Sequence, residues 1–103
     1  MLKKEIKKIV QQYRRNIENA GIPIEKMVLF GSYARGNARK DSDIDVCVVS
    51  PDFGKDDIEE MQTLFKKSAR IDTRIEPYPL SSDEFANGFS PIIDEIRKYG
   101  IVV

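Results

Sequence analysis

Histidine is absent from this chain of 103 residues, and cysteine occurs once, at Cys47. Without an imidazole, Ser-His-Asp and Cys-His nucleophile sites and histidine-based acid–base catalysis are excluded. One cysteine and no histidine cannot supply the ligands of an ordinary zinc site. Any metal ion bound here must be held by oxygen, which points to Mg2+, Mn2+ or Ca2+. A lone cysteine also excludes an intramolecular disulfide framework. No apolar run approaches the ~20 residues of a membrane-spanning helix. The charged start, Met1-Leu2-Lys3-Lys4-Glu5-Ile6, has no apolar signal-peptide core behind it. A net charge of either sign is missing too, because 17 Lys+Arg balance 17 Asp+Glu. That argues against strong nucleic-acid binding, which is driven by Lys and Arg against phosphate.

The remaining composition, 41% hydrophobic and 33% charged, is ordinary for a folded, soluble protein, and a cytoplasmic location is expected. The length fits a single domain over residues 1–103, with one core and no room for a second, substrate-binding domain. No internal repeat, low-complexity tract or linker interrupts it.

Leu2, Ile6, Ile9, Val10, Tyr13 and Ile17 fall on one face of an amphipathic helix, stopped by Gly21-Ile22-Pro23. Ile24 to Phe30 reads as a buried strand with Met27-Val28-Leu29-Phe30 at its centre. Gly31-Ser32 breaks it, and Ser32-Tyr33-Ala34-Arg35 fits one helical turn. A polar loop, Gly36 to Ser42, leads into a second strand from Asp43 to Ser50. There Ile44, Val46 and Val48 take one face, and Asp43, Asp45, Cys47 and Val49 the other. Asp56 to Ala69 predicts a helix with Ile58, Met61, Leu64, Phe65 and Ala69 inward. Arg70 to Pro77 alternates again, with Asp72, Arg74 and Glu76 on one face, and Pro77 and Pro79 are expected to stop it. Ser82 is a candidate N-cap for a short turn at Asp83-Glu84-Phe85. Pro91 to Tyr99 predicts a last helix closed by Gly100, followed by the apolar tail Ile101-Val102-Val103. The order predicts an α/β domain with a small mixed sheet flanked by helices.

The chemistry concentrates in Gly31 to Asp45, GSYARGNARKDSDID. An apolar strand that ends at Gly-Ser and enters a helical turn leaves free backbone N–H groups and a hydroxyl pointing together, which suits a phosphate. Gly31 permits close backbone approach, Ser32 can donate its hydroxyl, and Arg35 and Lys40 add cationic reach. Asp43 and Asp45 lie two apart on a strand, so they share a face with Cα atoms about 6.5–7 Å apart. Two carboxylates held side by side are costly without a counter-ion, and a divalent cation removes that cost. If the third strand neighbours the second, either Asp72 or Glu76 completes a three-carboxylate set. Each piece alone is commonplace. A strand, Gly-Ser, ten residues and then Asp-x-Asp opening a second strand is an ordered constellation.

Gly31-Ser32, the ten-residue gap and Asp43-Ile44-Asp45 resemble the signature of nucleotidyltransferases of the DNA polymerase β superfamily. Tyr33-Ala34-Arg35-Gly36 and Ser42-Asp43-Ile44-Asp45 are similar to its minimal nucleotidyltransferase group. The resemblance covers nearly the whole chain. It implies that fold and transfer of a nucleoside monophosphate, with ATP as the default donor. It further implies that Asp43, Asp45 and Asp72 hold two Mg2+ ions, with Glu76 the alternative to Asp72. Gly31 and Ser32, assisted by Arg35 and Lys40, would bind the nucleotide's phosphates. Two metal ions stabilise both the attacking and the leaving oxygen, and such chemistry needs no histidine.

Because the chain has no dedicated acceptor domain, the acceptor is expected on another protein. In the resembling group the partner is often a helical HEPN protein, commonly an RNase toxin, and members of the group transfer AMP to a tyrosine of that toxin. Two other readings stay open at this stage: a binding module that blocks its partner sterically, and a transferase acting on a small molecule such as an aminoglycoside, for which a homo-oligomer could supply the pocket. Base preference and oligomeric state are not fixed by the residues. Cys47 reads as a packed small hydrophobe, the four tyrosines as packing or interface residues, and Lys3, Lys4, Lys7 and Lys8 as a solvated helix face.

Overall fold

The computed structural model describes residues 3–103. Leu2, assigned above to the first helix's apolar face, lies outside them. Helix α1 spans Lys4–Asn19 and buries Ile6, Val10, Tyr13 and Ile17. Strand β1 follows at Lys26–Phe30, then the four-residue helix α2 at Ser32–Arg35, and β2 at Ile44–Ser50. Helix α3 covers Asp57–Ala69, with Asp56 as its N-cap accepting a hydrogen bond from the Glu59 amide. Strand β3 runs from Ile75 to Ser81, and α4 from Ser82 to Asn87. Helix α5 occupies Pro91–Tyr99, and β4 is the two-residue strand Ile101–Val102. The sheet order is β3-β2-β1-β4. β1 is antiparallel to both β2 and β4, whereas β2 and β3 are parallel. This is the mixed sheet flanked by helices that the sequence predicts.

The alternation in β2 divides the core. Ile44, Val46 and Val48 face α1 and α3, together with Met27, Leu29, Leu64 and Ile75. Cys47 and Val49 face the other layer, with Val28, Phe30, Leu80, Ile93 and Ile96. Two side-chain bonds join α1 to α3. The fully buried Tyr13 hydroxyl donates to the Leu64 carbonyl at 2.9 Å, and the Asn16 amide donates to the Lys67 carbonyl at 3.0 Å. Tyr13→Phe removes the first bond without leaving a cavity. It is expected to cost about 1 kcal/mol, lowering Tm by about 5 °C, as thermal unfolding would show.

Four local expectations need correction. The third strand does not run from Arg70 to Pro77; residues 70–74 form turns and the strand begins at Ile75. Pro77 and Pro79 do not stop it. β3 is an edge strand, so two prolines spaced two apart direct their missing N–H groups to the same side, and pairing with β2 continues through both. The N-cap of α4 is Ser81, not Ser82. Its hydroxyl accepts from the Glu84 amide, and the Glu84 carboxylate accepts from the Ser81 amide, a closed capping box. In α3, Leu64 and Ser68 are buried, while Ile58 and Phe65 are exposed. The helix is rotated from the apolar stripe because Ser68 satisfies its own hydroxyl on the Phe65 carbonyl and so can be buried. Finally, the tail joins the sheet: Val102 and Ile101 pair with Val28 and Leu29. Among the described residues no helix is long and apolar enough to cross a membrane.

Candidate active site

Phe30, Asp45 and Glu76 lie side by side on three adjacent strands, β1, β2 and β3. In paired strands, partners in register project from the same face. The face is the one carrying Cys47 and Val49, covered further along by α4 and α5. Asp43, immediately before β2, has the same parity as Asp45. Glu95 reaches the cluster from α5. Burial is the main reason the Asp45 carboxyl is held up at about 6, and the negative charges of Asp43, Glu76 and Glu95 add to it. None of the ion pairs among the described residues involves Asp43, Asp45 or Glu76.

The turn between β1 and α2 packs directly on this carboxylate. Gly31 has φ +74°, a left-handed conformation that favours glycine. A Cβ at this position would overlap the Asp45 side-chain oxygen. Gly31 therefore meets two constraints at once, backbone conformation and lack of volume. It is the N-cap of α2 and makes no side-chain capping bond. The first intrahelical bond runs from the Arg35 amide to the Gly31 carbonyl. Helical geometry leaves the amides of Ser32, Tyr33 and Ala34 without intrahelical acceptors. Ser32 is partly exposed beside them. Amides, hydroxyl and carboxylates thus gather at one end of the sheet.

The structure brings Gly31, Ser32, Asp43 and Asp45 together as the spacing predicts. It does not bring Asp72 to them. Because β3 begins at Ile75, Asp72 sits in the preceding turn and not opposite Asp45. Its carboxylate takes the Arg74 Nε at 3.1 Å and an Arg74 terminal nitrogen at 2.9 Å, with the Arg74 amide at 2.9 Å. Those bonds from Arg74 hold its pKa below the usual carboxylate range. Arg74 in turn donates to the Lys40 carbonyl at 3.0 Å and the Tyr33 hydroxyl at 3.3 Å. Asp72 therefore braces the loop that leads to Asp43. Glu76, not Asp72, is the acidic residue in register with Asp45.

Lys40 is also apart from the carboxylates. Its side chain is exposed and lines an open cleft with Tyr33, Arg39 and Arg74. Arg35 is close to the cluster, but it is engaged. Its guanidinium donates to Glu95 at 2.9 Å and lies 5.5 Å from the Tyr99 ring centre. Glu95 was not legible as a site residue, since only the docking of α5 brings it near β2. Cys47 is fully buried, and burial pushes its thiol up to about 12, so it is an inert core residue.

The donor set is all oxygen, which fits Mg2+ or Mn2+ and no softer metal. As the side chains stand, no three carboxylates among the described residues converge closely enough to hold an ion. Rotation of exposed side chains such as Asp43 and Glu76 would be needed to close the set. The accumulated negative charge around Asp45 favours a cation there.

The chain belongs to the nucleotidyltransferase domain family, whose model matches residues 3–102. It is 31% identical over 110 residues to the "Putative protein adenylyltransferase MJ0141" of Methanocaldococcus jannaschii, covering 96% of this chain and 99% of that protein. A "putative nucleotidyltransferase" from Sulfolobus solfataricus has the same fold, with a TM-score of 0.67 at 19% identity over 92% of this chain and 76% of that one. So does a chain of a toxin-antitoxin structure determined with AMP-PNP, with a TM-score of 0.64 at 24% identity over 94% of this chain and 70% of that one.

Proposed function

We propose that this nucleotidyltransferase moves AMP from ATP to a hydroxyl group on a partner protein, in a Mg2+-dependent reaction, and that it acts as the antitoxin of a HEPN toxin. The observation that carries the nucleotide site is the Asp45–Glu76 register with Gly31 packed on the Asp45 carboxylate. Support for a protein acceptor comes from the M. jannaschii relative, matched over 99% of its length and named for protein adenylylation. The toxin-antitoxin neighbour contributes the kind of partner.

In this reading Asp43, Asp45 and Glu76 would hold the magnesium, which supplies charge neutralisation on the triphosphate and activation of the acceptor hydroxyl when bound. The amides at the start of α2 and the Ser32 hydroxyl hold phosphate oxygens. Gly31 lets the backbone approach them without a side chain in the way. The acceptor oxygen forms a bond to the α-phosphorus, the bond from that phosphorus to the bridging oxygen breaks, and pyrophosphate leaves. The acceptor's proton goes to a carboxylate or to solvent. Positioning and electrostatics carry the rate, as is general for phosphoryl-type transfers.

Intact-mass measurement of the chain co-purified with its partner and incubated with Mg-ATP tests the proposal. One or more adenylyl groups added to the partner is the expected result. A stable complex in which neither chain gains mass would favour a steric binding module. ATP consumption without mass gain would favour a small-molecule acceptor.

A further inference from the structure

We infer that Glu95 and Tyr99 of α5 are positioning residues that hold the Arg35 guanidinium ready for the phosphates of the bound nucleotide. The inference rests on the nucleotide site proposed above and assigns it two residues outside the Gly31–Asp45 segment. Arg35 closes α2, whose first residue, Ser32, begins the phosphate-facing turn. Four helical residues span only about 6 Å, so Arg35 stays next to that turn. Glu95 takes one guanidinium nitrogen at 2.9 Å, and the Tyr99 ring lies against the cation with 5.5 Å between the guanidinium carbon and the ring centre. A guanidinium has five N–H donors, and this arrangement leaves most of them unused. Arg35 remains 48% exposed, so those donors are accessible.

Stability does not account for the pair. Ion pairs this exposed contribute little to folding. Glu95 also adds negative charge near Asp45, on which the carboxylates of Asp43 and Glu76 already act. A carboxylate placed at that cost, gripping the cation beside the phosphate-facing turn, is explained by what it does to Arg35. A long flexible side chain loses rotamer freedom when it binds a ligand, and fixing it beforehand removes part of that loss. Tyr99 backs the guanidinium, and Glu95 anchors one of its nitrogens.

Equilibrium binding of AMP-PNP with Mg2+, measured by titration calorimetry, tests this alongside transfer kinetics. Glu95→Ala is expected to weaken Kd about tenfold and raise KM for ATP similarly, with kcat within about twofold. Glu95→Gln, which keeps an acceptor and the same shape, should recover part of the loss. Tyr99→Ala should weaken binding and Tyr99→Phe restore it. Glu95→Ala added to Arg35→Ala should weaken binding no further, because the two residues act as a unit. Wild-type Kd in Glu95→Ala, a fall in kcat at constant KM, or full additivity with Arg35→Ala would each overturn the inference while leaving the nucleotide site standing. If the wild-type protein does not bind AMP-PNP, the proposed function falls and this inference with it.

Discussion

Asp45→Asn is expected to abolish nucleotidyl transfer, by roughly 10³-fold or more in kcat/KM, and to stabilise the free protein at neutral pH. The two effects have one cause. The Asp45 carboxylate is packed under the Gly31 turn, in register with Glu76, and surrounded by the charges of Asp43 and Glu95. Such a carboxylate suits a cation-binding site and opposes folding when no cation is bound. Burial and those like charges raise its pKa from 3.8 to about 6. In the unfolded chain it ionises near pH 4, so between pH 4 and pH 6 the unfolded state loses its proton first. Stability falls over that interval and stays reduced above it. Asparagine keeps the shape without the charge. The variant should gain about 1–2 kcal/mol at pH 7.5, after allowance for solvent screening, and should match the wild type at pH 4. Thermal melts at the two pH values check the stability half. For wild-type transfer, protons compete with the cation for Asp45, so the rate should rise with pH, with a midpoint below about 6 that moves lower as Mg2+ is raised. A variant that is inactive and also less stable at pH 7.5 would identify Asp45 as a structural residue.

The division between what the residues reveal and what they conceal follows from the range of the interactions. The alternation of β2 places Ile44, Val46 and Val48 on one face and Asp45 and Cys47 on the other, because strand periodicity is local and both faces are buried. The Gly31-Ser32 turn is equally local in its backbone conformation and short helix, which lie within six residues, whereas its close approach to Asp45 depends on the pairing of β1 with β2. β3 runs past its expected stop because Pro77 and Pro79 argue against a strand unless it lies at an edge, and edge position is a property of the whole sheet. The outward turn of Ile58 and Phe65 is not legible because α3 carries two overlapping stripes, and only docking against α1 and β3 selects Leu64 and Ser68. Glu95 lies fifty residues from Asp45, and no spacing rule connects them. β4 depends on a chain end returning to β1, which a three-residue apolar tail does not specify.

Asp72 and Glu76 make the same point at the site, and one pair of variants separates them. They are four apart and of the same parity, so a strand from Arg70 to Pro77 would present both on one face. Register decides between them. Glu76 pairs with Asp45 across β2 and β3, whereas Asp72 lies before the strand and is bonded to Arg74. Glu76→Gln is therefore expected to lower kcat/KM roughly 10²-fold. It should leave stability unchanged or slightly raised, since it removes one of the charges acting on Asp45. Asp72→Asn should lower transfer by less than about tenfold and reduce stability by about 1–2 kcal/mol. The loss comes from the partly buried Arg74, which braces Lys40 and Tyr33 and would lose its carboxylate partner. The stabilising bonds from Arg74 hold the Asp72 pKa down, so their contribution is present above the ordinary carboxylate range and disappears as pH falls through the lowered value. The Asp72→Asn penalty should accordingly shrink in acid. Kinetics and chemical denaturation on the two variants give opposite patterns if Glu76 completes the carboxylate set. The reverse pattern, with Asp72→Asn inactive but stable, would return that role to Asp72 and require the turn at residues 70–74 to refold around the nucleotide.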